Sequence, residues 1–154
     1  MRTFAAKIDS LLNPLRQVAT YGAAPLLDLA FRLYPASVFF QSGLGRFQDF
    51  LNDTWGRQLF LFAQEHPVFG LPATIAAPVT TGAELILPIL LALGLFGRFA
   101  AGGLLVMTMV IEFTYLHSTT HYLWGALLAA ILIKGPGLLS VDALLVKWTR
   151  SPKG

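Results

Sequence analysis

The chain has 154 residues, of which 55% are hydrophobic and 12% charged, with a mean hydropathy of +0.64 and a formal net charge of +3. Soluble domains carry about 25% charged residues, so this composition excludes an ordinary soluble domain and points to one small polytopic membrane domain over residues 1–154. The basic residues flank apolar runs without interleaved base-stacking aromatics, which argues against nucleic acid as a partner. Cysteine is absent, so disulfides, thiolate nucleophiles, CxxC relays and thiolate-held clusters are all excluded.

Residues 1–21 lack the continuous apolar core and small-residue cleavage site of a secretory signal, so targeting is expected to come from the spans. Phe4, Ile8, Leu11, Leu12, Leu15 and Val18 recur at helical spacing beside Lys7 and Arg16, the pattern of an amphipathic helix lying on a membrane surface.

A bilayer core is crossed by roughly 20 apolar residues in helix, and residues 22–44 form the first such run. It contains Asp28 and Arg32, four residues apart with the acid first, the favourable order for a helical ion pair. Pro35 follows, and its ring displaces the carbonyl of Phe31, leaving an acceptor that a guanidinium can satisfy.

Residues 45–70 mix Phe47, Phe50, Leu51, Trp55, Leu59, Phe60 and Phe62 with charges, which reads as an interfacial helical loop. The second span, 71–96, carries Glu84 with Pro88 one turn beyond it and Thr80 and Thr81 one turn before. A charge at bilayer depth costs about 2.5–3.5 kcal/mol on insertion scales, so Glu84 is expected to face inward. The simplest partner is Arg32, and Asp28, Arg32 and Glu84 form the expected structural pairing set. That bridge and a role for Glu84 in ligand or proton handling are compatible.

A turn at Gly97-Arg98 leads into the third span, 99–116, where Thr108, Glu112 and Tyr115 share a face. The fourth apolar run, 121–133, is short. Extended to 119–139 it spans, with Lys134 snorkelling to the interface; a re-entrant or surface helix is the alternative. Ser118, Thr119 or Thr120 caps it and places His121 in the first turn, near the level of Glu112 and His117, where a positive helix end favours neutral imidazole. Glu112, His117 and His121 are suitable metal-ligand types. They match no established spacing and lack a recognised second shell, so hydrogen-bonded interfacial histidines are expected and no metal site. Trp124 reads as an aromatic-belt residue or as a platform for a planar ligand such as a quinone. After the break at Gly135-Pro136-Gly137, Ser140 can cap an amphipathic last helix bearing Leu144, Leu145 and Trp148.

Lysine and arginine set the orientation. Arg2, Lys7, Arg16, Arg98, Lys134, Lys147, Arg150 and Lys153 fall on one side and only Arg46 and Arg57 on the other, which puts both termini in the cytoplasm. The expected fold is all-α: a polytopic four-helix membrane bundle with amphipathic terminal helices. Small residues at Gly102-Gly103 and Ala76-Ala77 permit close helix contact, including contact in a homo-oligomer.

Across residues 26–145 the chain resembles the DoxX family, four-span proteins of the bacterial inner membrane. The resemblance rests on Phe31-Arg32-Leu33 and Phe39-Phe40-Gln41-Ser42-Gly43-Leu44-Gly45-Arg46. It continues in Gly82-Ala83-Glu84-Leu85, in Leu90-Leu91-Ala92-Leu93-Gly94-Leu95-Phe96-Gly97-Arg98, and in Lys134-Gly135-Pro136-Gly137-Leu138-Leu139-Ser140-Val141-Asp142. It implies a bundle whose arginine and glutamate match Arg32 and Glu84, in a family associated with oxidoreductase and oxidative-stress systems. The expected function is therefore a membrane accessory subunit of a redox or stress-response system, with a soluble or membrane redox partner and no assigned catalytic residue. Its ligand is expected to be quinone-like or otherwise hydrophobic, in a polar-lined cavity organised by Arg32 and Glu84, with Glu112, His117 and His121 at the outer mouth. A small transporter or metal-handling protein, or a structural partner recruiting soluble enzymes, are the alternatives.

Overall fold

The computed structural model describes residues 2–68, 70–114 and 116–150, with side chains from residue 9 onward, and among these every regular element is helical. The expected face of the N-terminal helix at Phe4, Lys7 and Ile8, together with Arg2, Tyr115 and Lys153, lies outside the described side chains. Helix α1 (Arg2–Val18) runs through a single π-helical turn (Ala19–Ala23) into α2 (Ala24–Leu51). The wide turn is closed by Ala24 N–H donating to the carbonyl of Ala19, and Pro25 sits in the first turn of α2, where its missing N–H costs nothing. The first span is thus longer than 22–44 and absorbs the start of the expected loop. The loop's own helix is α3 (Trp55–Gln64).

Helices α4 (Ala73–Leu93) and α5 (Gly97–Thr114) occupy the second and third apolar runs. Gly94, at φ 65°, ends α4: its N–H donates to Leu91 O (3.0 Å) and that of Leu95 to Leu90 O (3.0 Å), so the last carbonyls are satisfied. Helix α6 (Thr119–Lys134) starts where Ser118 Oγ accepts from Thr120 N at 3.3 Å. It stops at Lys134, short of the expected 139, because Gly135 and Gly137 take φ of 95° and 83° on either side of Pro136. Helix α7 (Val141–Arg150) follows. Ser140 caps it as expected, accepting from Ala143 N at 3.2 Å while donating to Gly137 O at 2.6 Å.

Helix α2 packs on α4, α4 on α5, α5 on α6 and α6 back on α2, while α3 lies against α4 and α2. The segments Asp9–Leu51, Ala73–Leu93 and Gly97–Thr114 are long and apolar enough to cross a membrane. Phe39, Leu91, Leu104, Leu128, Ala100 and Ala101 form the apolar centre. Phe99, Phe113 and Ile133 stand more than 70% exposed on the outside, while Arg32, Glu84, Thr108, Glu112 and His121 are buried. Apolar outside and ionisable inside is the distribution a lipid solvent demands, since charges at bilayer depth turn away from hydrocarbon.

The small residues are used within the chain. Ala76 and Ala77 are buried against Phe62. Gly102 faces Leu132, and a Cβ on Gly103 would lie 2.7 Å from Leu87 Cδ1. Gly43 brings α2 onto α4: a Cβ there would meet Glu84 Cβ at 2.8 Å and its carbonyl carbon at 2.9 Å.

Candidate functional site

The contact between Gly43 and Glu84 fixes the register of the antiparallel α2–α4 pair and decides where each charge goes. Arg32 lies eleven residues before Gly43, about 16 Å along the helix, so it reaches the far end of α4 and not Glu84. There it is fully enclosed and donates to Ala92 O (3.2 Å) and, from Nη2, to Leu139 O. Gly94 makes room for the guanidinium, which lies closer to it than a Cβ would allow. The expected Arg32–Glu84 bridge is therefore replaced. Asp28 does not pair with Arg32 either: its Oδ1 accepts from Lys134 Nζ at 3.0 Å, because the end of α6 abuts that turn of α2.

Arg32 therefore anchors a knot at one end of the molecule. Asp142 accepts from Phe96 N (Oδ1, 2.9 Å) and Gly97 N (Oδ2, 2.9 Å), and its own N–H donates to Gly94 O at 3.0 Å. One carboxylate from the last helix thus caps the N-terminus of α5, where orphan N–H groups and the helix dipole favour negative charge. Sequence reading overlooked Asp142 because this cap joins residues more than forty apart.

Glu84, 1% exposed, pairs with Arg46. Arg46 lies fourteen residues beyond Arg32, close to four helical turns, and so on nearly the same face of α2. That spacing was the available signal for a partner the sequence reading had placed in the outer charge count and in the Phe39–Arg46 motif, without pairing it to Glu84. The Arg46 guanidinium also sits 5.3 Å from the Phe62 ring centre, a cation–π contact that brings α3 onto the pair. Phe62 meets the His66 ring edge-on at 6.4 Å. Burial pushes the pKa of His66 below its ordinary 6.5, nearby Arg46 pushes it further down, and Glu65 partly opposes the shift. Glu84, Thr80, Phe62, Met107, Val110 and Ile111 line a cavity of about 270 Å³ between α4 and α5.

The remaining expected residues gather between α5 and α6. His121 Nδ1 lies 2.7 Å from Glu112 Oε2, and both residues are more than 90% buried. The same oxygen accepts from Ser118 N at 3.0 Å, so Glu112 also holds the start of α6 in place. A carboxylate acceptor calls for a proton on Nδ1, which leaves Nε2 as the ring nitrogen free to meet a ligand. The Trp124 ring centre is 4.9 Å from that of His121 and 5.7 Å from that of Phe39. The indole Nε1 of Trp124 is buried without an acceptor among the described residues. His121 and Glu112 line a slot of about 390 Å³ with Thr108, Met109, Phe113 and Tyr122. His117 stands exposed in the loop between α5 and α6 and is not among the slot's lining residues. The single polar cavity expected from sequence is thus divided into three: the Arg32 knot, the Arg46–Glu84 pair and the Glu112–His121 pair. Among the described residues no group of three or more His, Cys, Asp or Glu is placed to hold a metal ion.

The DoxX family model matches residues 27–117, a stretch holding Arg32, Arg46, Glu84 and Glu112. An uncharacterized protein of Haemophilus influenzae is 29% identical over 133 residues, covering 77% of this chain and 83% of the relative. No solved structure matches.

Proposed function

Because the chain belongs to the DoxX family of membrane proteins, we propose that it is a four-span inner-membrane accessory subunit of a redox or stress-response system, holding a quinone-like ligand between α5 and α6. The closed ring of contacts among α2, α4, α5 and α6 supports a four-helix bundle. Helix α6, at 16 residues, is about 24 Å long against a hydrocarbon core of about 30 Å. Lys134 at its end snorkels to cover the difference. The excess of lysine and arginine at the Arg98, Lys134 and α7 end favours both termini in the cytoplasm, and the exposed apolar face of α7 favours its lying on the membrane surface, whereas α1 continues the line of the first span through the π-helical turn.

The observation carrying this reading is the buried Glu112–His121 pair on the wall of the 390 Å³ slot. Small-molecule sites measure about 300–1,000 Å³ and are mostly apolar with a few converging polar groups. The slot meets that size, whereas the 270 Å³ cavity at Glu84 falls below it and its carboxylate is already neutralised by Arg46. Neutral His121 accepts from the hydroxyl of a reduced ring through Nε2, and the protonated ring donates to a quinone carbonyl. Glu112 orients the imidazole and compensates its charge. Electrons reach or leave the ligand through a partner protein. This chain supplies binding and the proton site.

The test is to extract the full chain in mild detergent, identify co-purified isoprenoid quinones by mass spectrometry, and titrate a short-chain quinone against tryptophan fluorescence. Saturable quenching weakened about three- to tenfold in His121→Ala, the value of one hydrogen bond, and unchanged in the double variant Arg46→Leu/Glu84→Leu, which removes the other buried pair from both sides, is expected. Absence of both co-purified quinone and saturable quenching overturns the reading.

A further inference from the structure

At the same end of the molecule as the Arg32 knot, a groove of about 1070 Å³ opens where α7 and the Gly135–Pro136–Gly137 turn meet the starts of α2 and α5. Four cations line it: Arg98, Lys134, Lys147 and Arg150. Its two acids are already engaged, Asp28 with Lys134 and Asp142 with the N–H groups of Phe96 and Gly97. Arg98 makes only long contacts to the carbonyls of Ile133 (3.3 Å) and Lys134 (3.4 Å). Lys147 and Arg150 are exposed and meet no acid or carbonyl among the described residues. Beside these cations Phe96, Phe99 and Leu138 stand 66%, 72% and 66% exposed. The groove thus pairs an uncompensated positive floor with an exposed apolar rim at one end of the apolar helices.

We propose that this groove binds an anionic glycerophospholipid, its phosphate between Arg98, Lys147 and Arg150 and its acyl chains along Phe96 and Phe99. The charge is complementary, since three cations without an acid partner face a group of one or two negative charges. The amphiphilic shape is complementary too: a soluble phosphate leaves the aromatic rim uncovered, and a zwitterionic lipid brings its own cation. Basic pockets beside membrane helices on the cytoplasmic side hold anionic headgroups for this reason. The site is independent of the quinone slot, which lies between α5 and α6 and shares none of its lining residues.

Native mass spectrometry of the detergent-solubilised full chain, titrated separately with phosphatidylglycerol, cardiolipin and phosphatidylcholine, tests the proposal. The anionic lipids are expected to be retained preferentially. Each cation near a membrane surface strengthens anionic binding about fivefold, so Lys147→Ala with Arg150→Ala is expected to weaken retention about 25-fold. Removing the same net charge elsewhere, at Arg16 and Arg57, is expected to leave it unchanged. Both α7 residues are exposed and unbonded, so the variant keeps the fold, which circular dichroism verifies. Equal retention of phosphatidylcholine, an unchanged affinity in the α7 variant, or an equal loss in the Arg16/Arg57 variant overturns the proposal. Displacement of the bound lipid by glycerol phosphate at equimolar concentration would make the ligand a soluble anion and would also overturn it.

Discussion

Asp142→Ala removes a single exposed-helix carboxylate yet acts on a different helix. Its two oxygens are the acceptors for Phe96 N and Gly97 N, each at 2.9 Å, and it lies where the dipole of α5 is positive. Losing a capping side chain costs about 0.5–2 kcal/mol, and losing the charge–dipole interaction about 0.3–1 kcal/mol. Both N–H groups lose their acceptor together, so the expected destabilisation is about 2 kcal/mol. Asp142→Asn keeps one side-chain oxygen but no charge, so about half of that is expected. Equilibrium unfolding of the full chain in mixed micelles, followed by far-UV circular dichroism as denaturing detergent is added, gives the ranking. An alanine variant within about 0.5 kcal/mol of wild type, the range of ordinary surface substitutions, would refute the trans-capping argument. So would an asparagine variant less stable than the alanine one.

Gly94→Ala places a Cβ 2.5 Å from Ser140 Cβ and into the Arg32 guanidinium at a φ of 65°. Left-handed strain of about 1–2 kcal/mol adds to overpacking of about 1–3 kcal/mol, and the same unfolding assay should show a loss of at least 2 kcal/mol. Breaking a buried ion pair from one side costs about 3–5 kcal/mol, while replacing both partners with apolar residues is near neutral. Glu84→Leu is therefore expected to be much less stable than Arg46→Leu/Glu84→Leu, and equal losses would show that the pair is not coupled. His66 has a folded-state pKa below its ordinary value, so the unfolded chain binds its proton first. The stability this contributes is present above about pH 6.5 and is lost as pH falls toward the lowered pKa. His66→Gln should accordingly flatten the unfolding midpoint between pH 7 and 5, and an unchanged slope would contradict the cause assigned to the shift.

The family model match and the three long apolar helices bear out the reading of the chain as a DoxX membrane protein. The apolar runs were legible because a lipid solvent imposes length and hydropathy on each span by itself. The caps at Ser118 and Ser140 were legible because a cap and its helix are neighbours in sequence. Burial of Arg32, Glu84 and Glu112 was legible from the cost of exposing them to hydrocarbon, whereas His121, expected at the interface, is buried by its contact with Glu112. Their partners were not, because an ion pair between two helices depends on register, and register is set by a contact such as Gly43 on Glu84 that no helical periodicity specifies. A shift of about three turns between α2 and α4 separates Arg32 against backbone carbonyls from Arg32 against Glu84. Tertiary packing alone decided that Arg46 neutralises Glu84, that Lys134 meets Asp28, and that Asp142 caps a helix forty-five residues away. The sequence by itself determined which groups must be satisfied inside the membrane; the packing of whole helices decided by whom.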